Sequence, residues 1–208
     1  MPDGANSKKD SATLHYLTSK NKEYYDIPAD TVTAQGWKIR YMATDSIKLQ
    51  KDAYVEWSNE SMVRRQIFPD VLEMRSYFIP KFKAETDRYI YLTHGCSTDC
   101  RAVTILPKNK TENTETFTAV IGYDIKLAQV AYILPKSFEI GKAIVEARDL
   151  KRNLTKTINF KGNCSFTIGD GCMKKVVFNG TTITLAYNTT DEYGNPAIET
   201  QTVDFTAP

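Results

Sequence analysis

With 208 residues, the chain is long enough for one domain with a sizeable core, which typically removes about 70% of its unfolded surface from water. Its 27 Lys+Arg against 25 Asp+Glu leave a net charge of +2 with both signs scattered, so no electrostatic footprint marks it for DNA, RNA or an acidic membrane face. No apolar run approaches the ~20 residues of a membrane helix.

The 12 Tyr, 9 Phe and many Thr lean toward strands, because aromatic and β-branched side chains pack well on a pleated surface. Residues 1–34 are polar and without sustained periodicity, and read as a flexible N-terminal tail and lead-in, with one helical turn or two around residues 11–17. The first ten residues lack the apolar core of a signal peptide and read as the polar spacer that follows an export signal; a cytosolic protein starting at Met1 is the alternative. Residues 35–208 read as a single β domain.

In that domain Trp37, Ile39 and Tyr41 alternate with Lys38 and Arg40, which predicts a strand with one buried and one wet face. Residues 53–57 repeat the pattern. A short helix is predicted over 58–66, with Ser58 as N-cap and Pro69 ending it, then a strand over 72–82 interrupted at Pro80. Residues 88–106 read as strand, cysteine-bracketed turn and strand, with Gly95 available for positive φ. Residues 108–116 form a polar loop, and hairpins follow around 124–129 and 149–153. Asn179-Gly180 predicts a two-residue type I′ turn that sets Phe178 opposite Thr181 and Val176 opposite Ile183. Residues 198–205 read as an edge strand whose Glu199, Gln201 and Val203 leave one face largely polar.

The expected fold is therefore all-β: an antiparallel meander forming a sandwich or a small propeller-like or barrel arrangement, with one or two short helices at most. The near-copies Phe78-Ile-Pro-Lys81, Ile105-Leu-Pro-Lys108 and Ile133-Leu-Pro-Lys136 raise the option of a repeated meander, against the plainer reading that strands often stop at proline.

The four cysteines fall in two close pairs, Cys96/Cys100 and Cys164/Cys172, each bracketing a turn-rich segment. Proximity favours disulfides within each pair. A zinc site including His94 is a rival, with the wide second spacing against it. A catalytic thiol with His94 as base is a third reading. Asp99 and Arg101 flank Cys100 and can pair across the turn. Asp45, Glu56, Glu73 and Glu85 are spread along the chain with no paired arrangement visible, and no phosphate loop, metalloprotease helix, serine elbow or EF-hand loop occurs. Asn59, Asn109, Asn153, Asn163, Asn179 and Asn188 begin glycosylation sequons.

Tyr91-Leu-Thr-His94-Gly-Cys96-Ser-Thr-Asp-Cys100-Arg101 resembles the Gly-Cys-Gly-Thr-x-Cys-Arg signature of small exported, lipoprotein-like bacterial proteins, with Ser97 where glycine is usual. Tyr123-Asp124 and Val130-Ala-Tyr132-Ile-Leu-Pro135 stand where that group has an aspartate hairpin and a Val-Tyr-x-Leu-Pro stretch, and Cys164 and Asp170-Gly-Cys172 resemble a second pair found in some members. The resemblance implies a self-contained Cys96–Cys100 bridge and a periplasmic or outer-surface location, with a lipid tether as an option, and implies no chemistry.

The reading carried forward is an exported β-domain that binds a protein or glycan of the cell envelope. No cofactor, metal or catalytic residue is assigned, and neither nucleic acid nor a membrane span is expected. Its candidate binding loops carry His94, Ser97, Asp99, Arg101 and Asp170. An envelope glycan hydrolase using carboxylates from separate strands, and an inhibitor or immunity protein, are the alternatives.

Overall fold

The computed structural model describes residues 13–44, 52–74, 76–137, 142–162, 172–191 and 193–206. The protein is all-β; among the described residues the strands form antiparallel sheets, none closed on itself, with one complete α-helix and one 3-10 turn. It divides into two compact units, Met1–Ile79 and Pro80–Pro208.

The first unit is one sheet in the order β1 (Leu14–Tyr16), β3 (Lys38–Thr44), β4 (Ala53–Ser58), β5 (Val63–Phe68), with β2 (Thr31–Val32) also on β3. Leu14–Tyr16 is thus a strand, and the helix lies further on, as α1 (Ser19–Tyr25). Thr18 caps it: its hydroxyl accepts from the Asn21 amide while Asn21 Oδ1 accepts from the Thr18 amide, a reciprocal box that satisfies two donors at the helix start. Trp37, Ile39 and Tyr41 are buried, as the alternation requires, and Val55 and Trp57 extend the same face from β4.

The helix predicted over 58–66 is absent. Ser58 ends β4, and Asn59 Oδ1 accepts from the Ser61 and Met62 amides, closing a turn that returns the chain as β5. This side-chain turn competes with helix at the residue meant to start it. The strand predicted over 72–82 is likewise replaced, by turns, a 3-10 turn at Ser76–Phe78 and a strand that begins only at Lys81. Just before that segment, Asp70 at φ 56° turns the chain out of β5.

The second unit is three consecutive meanders. One sheet runs β6 (Lys81–Glu85), β7 (Tyr89–Ser97), β8 (Cys100–Pro107), β9 (Glu115–Phe117). The next runs β10 (Val120–Asp124), β11 (Gln129–Ile133), β12 (Ile144–Asp149), β13 (Leu154–Asn159), and the last β14 (Met173–Asn179), β15 (Thr182–Thr190), β16 (Pro196–Asp204). The middle sheet is covered on both faces. Val130 packs with Tyr89, Tyr91, Val103 and Ile105 of the first sheet, and its neighbour Ala131 packs with Ile183, Leu185 and Tyr187 of the third.

The turns are held by side chains. Asp124 Oδ1 accepts from the Leu127 amide at 2.8 Å in the β10–β11 turn, and buried Asp149 accepts from the Arg152 amide and guanidinium in the β12–β13 turn. Gln129 Nε2 donates to Asp149 and to the Gly180 carbonyl, tying the middle sheet to the β14–β15 hairpin. That hairpin differs from the predicted one: Asn179 pairs with Thr182 and Phe178 with Ile183, so Gly180 and Thr181 are the loop residues. On β16, an edge strand as predicted, Glu199, Gln201 and Val203 form the half-buried face and Ile198, Thr200 and Thr202 the exposed one. Glu199 turns inward because it accepts from the Lys161 and Gly162 amides and from Gln201 Nε2.

Candidate functional site

The β7–β8 hairpin carries most of the candidate residues. Its ladder runs in register from Tyr89 opposite Pro107 to Gly95 opposite Arg101, then shifts, so that Ser97 opposes Cys100 and Cys96 is the unpaired residue of a bulge. A bulge twists the strand and re-aims its side chains. Cys96 and Cys100 are joined as a disulfide with a Cα–Cα distance of 5.0 Å, within the ordinary range. Gly95 is buried in the strand and does not use positive φ; the bulge supplies the bend that the sequence suggested for it.

Ser97, Thr98, Asp99 and Arg101 are exposed at the tip, while the two half-cystines are half-buried. No ion pair joins Asp99 to Arg101; both charges face solvent, where holding two side chains together gains little. Behind the tip, the Ala119 amide donates to Cys100 Sγ at 3.3 Å, and the Ala119 carbonyl accepts from the Ile133 amide at 3.0 Å. Ala119 lies between β9 and β10 with φ 51°, so one left-handed residue ties the disulfide to the middle sheet.

His94 lies on the hairpin face turned away from the middle sheet, with Ala102 and Thr104. Its Nδ1 is 2.9 Å from the Gly95 carbonyl and its Nε2 3.1 Å from Thr104 Oγ1, which is 3.0 Å from Thr116 Oγ1. A carbonyl only accepts, so Nδ1 carries the proton and Nε2 accepts from Thr104, whose hydroxyl accepts from Thr116 in turn. Burial lowers the His94 pKa, and the Gly95 carbonyl opposes it more weakly. His94 is thus a neutral tie across three strands.

The rival chemistries for the first pair fall away on this geometry. Sulfurs bonded to each other are neither zinc ligands nor a nucleophile for His94 to activate. Among the described residues no cluster of three His, Cys, Asp or Glu side chains is arranged to hold a metal. Cys172 is fully buried in the core between the middle and third sheets; Cys164 and Asp170 lie outside the described residues.

Two of the scattered carboxylates, Glu56 and Glu85, are held in ion pairs. Glu56, with no exposed side-chain surface, accepts from Arg40 at 2.6 Å, from Arg65 Nε at 2.9 Å and from the Tyr16 hydroxyl at 2.8 Å. Glu85 pairs with Lys108 at 2.5 Å, both nearly buried. Glu73 is exposed, and Asp45 lies outside the described residues. Two sequons are explained by turns, since Asn109, like Asn59, accepts from amides two and three residues on. Thr104, Thr116 and Ala119 carry no motif that marks them in the sequence. Thr104 was reachable, being diagonal to His94 in the hairpin register, but nothing local marks Ala119, whose partner is 19 residues away. No protein-family model, no curated protein and no solved structure matches the chain.

Proposed function

We propose that the protein is an exported β-module that binds a protein or glycan partner of the cell envelope through the tip of the β7–β8 hairpin. One observation carries this reading: an exposed polar tip, Ser97 to Asp99 with Arg101, on a backbone fixed by a disulfide, a paired ladder and the Ala119 amide. A tip fixed in advance loses little conformational freedom on docking, so more of the contact energy survives as affinity. The side chains offered are a hydroxyl, a carboxylate and a guanidinium, which suit hydrogen bonding to a peptide or a sugar. Their charges oppose each other, consistent with a neutral or mixed-charge partner.

The test is a crosslinking pull-down from envelope extract with the wild-type protein and a Ser97→Ala/Asp99→Ala/Arg101→Ala variant. All three positions are exposed, so the variant keeps its far-UV circular dichroism. The wild type is expected to capture a partner that the variant loses. Equal capture by both, or none by either, removes the proposal.

A further inference from the structure

We propose that Cys96–Cys100 is an exchange-competent disulfide for a dithiol reductant, with Cys96 as the sulfur attacked and Cys100 as the sulfur that leaves. The proposal does not depend on the hairpin tip binding a partner.

Two observations separate this bridge from a buried staple. First, its half-cystines are only half-buried and sit beside an exposed turn, so a nucleophile has an approach. Second, the two sulfurs differ: Cys100 Sγ accepts the Ala119 amide at 3.3 Å, whereas Cys96 belongs to the unpaired bulge residue. A donor placed on a sulfur stabilises the thiolate over the thiol, and exchange is faster when the leaving thiol is the more acidic. The charged neighbours Asp99 and Arg101 oppose each other in sign and are both exposed, so the fixed N–H decides the asymmetry.

The step balances as follows. A thiolate of the reductant attacks Cys96 Sγ and forms a mixed disulfide. The Cys96–Cys100 bond breaks, and its electron pair leaves on Cys100 Sγ, where the Ala119 N–H receives it. The reductant's second thiol, deprotonated, attacks its own sulfur in the mixed disulfide and expels the Cys96 thiolate. The reductant ends as a disulfide, the hairpin as a dithiol, and the two protons given up by the reductant's thiols pass to Cys96 and Cys100.

Reversal needs no refolding. The ladder from Tyr89 to Gly95 continues to hold the hairpin, so the thiols stay close enough for the reductant's own disulfide form to reoxidise them by the same two exchanges in reverse. Closing a loop of sequence separation 4 also removes little chain entropy from the unfolded state, so the bond contributes less to the fold than a long crosslink would.

The experiment treats the folded wild-type protein with reduced glutathione, blocks free thiols with N-ethylmaleimide and maps the adducts by peptide mass spectrometry. Glutathione is expected on Cys96 with maleimide on Cys100, in about tenfold excess over the reverse pattern. In parallel, dithiothreitol is expected to release both thiols while the far-UV circular dichroism is unchanged. Adducts concentrated on Cys100, an even split between the two, or thiols that appear only in denaturant would each overturn the proposal.

Discussion

Glu56 is a fully buried carboxylate on a strand face that the sequence pattern marks as wet. It is tolerated because its lone pairs are met from three other strands: Arg40 and Arg65 are its register partners on the adjacent β3 and β5, and Tyr16 reaches it from β1 beyond β3. Arg40 lies over the Tyr16 ring at 4.1 Å, which holds that guanidinium in line. Burial alone would raise the Glu56 carboxyl, but the hydrogen bonds from Tyr16, Arg65 and Arg40 hold it below its ordinary value of 4.5. A carboxyl depressed in the folded state contributes stability that is present above its unfolded pKa and is lost as pH falls through the folded one. The first unit should therefore weaken below about pH 4.5. Glu56→Gln should remove that part of the acid limb and cost about 2–3 kcal/mol at pH 7, less than for a fully dry pair because both arginines keep contact with water. Trp37 and Trp57, the only tryptophans in the chain, both lie in this unit, so fluorescence during acid titration reports it alone. Coincident acid midpoints for variant and wild type would show that the cluster is not ionised as described.

At the scale of elements, the strands that announce themselves are those with apolar residues at every second position: β3, β4, β7 and β8 lie where the alternation places them. β5 was hidden because its inward positions are held by Arg64 and Gln66. Arg64 covers Trp57, its ring 5.3 Å away, and the pattern that reveals a strand cannot see a charged side chain used for its stem and its flat cation. The β14–β15 hairpin was legible in kind and misplaced by one turn residue. Moving the loop from Asn179-Gly180 to Gly180-Thr181 shifts every cross-strand partner by two positions, so Val176 meets Leu185 in place of Ile183. An even shift leaves each side chain on its own face, which is why Val176 and Ile183 still share the core-facing side although they are not partners. Positive φ at this turn is confined to Gly180, at 60°, the pattern of a II′ turn. A Cβ at Gly180 would meet nothing within 4 Å, so Gly180→Ala isolates the backbone term and should cost about 1–2 kcal/mol. Urea unfolding should show this as a lower midpoint with an unchanged slope, and an Ala variant as stable as wild type would contradict the turn geometry.

For the whole molecule, what the sequence could not show is which sheet faces which. Among the described residues every strand pair in the second unit joins neighbours in the chain, so each meander can be read locally, but stacking depends on the residues between sheets. The proline echoes mislead here, because Pro80 precedes β6, Pro107 ends β8 and Pro135 follows β11, three positions that are not equivalent. The recurring unit is instead the antiparallel meander itself, and the middle one is wrapped on both faces. Its third-sheet side is floored by small residues: Ala131 and Ala147 oppose each other on β11 and β12, with Ala143 nearby, all fully buried. Small side chains there leave room for the larger groups of the facing sheet, including Tyr187, whose ring lies 4.7 Å from Phe160. Enlarging the floor must push the sheets apart or force strained rotamers, since a close-packed interior has no spare volume. Ala147→Leu, a change toward greater hydrophobicity, should therefore destabilise by about 1–3 kcal/mol and lower Tm by roughly 5 °C. Val177, exposed on the outer face of β14, supplies the contrast: Val177→Thr should leave Tm within about 1 °C, because surface changes of this kind rarely exceed a few tenths of a kcal/mol. Differential scanning calorimetry of the pair decides the matter. A leucine at position 147 that leaves Tm unchanged, or raises it, would mean that the alanine floor is not pressed against a neighbouring sheet.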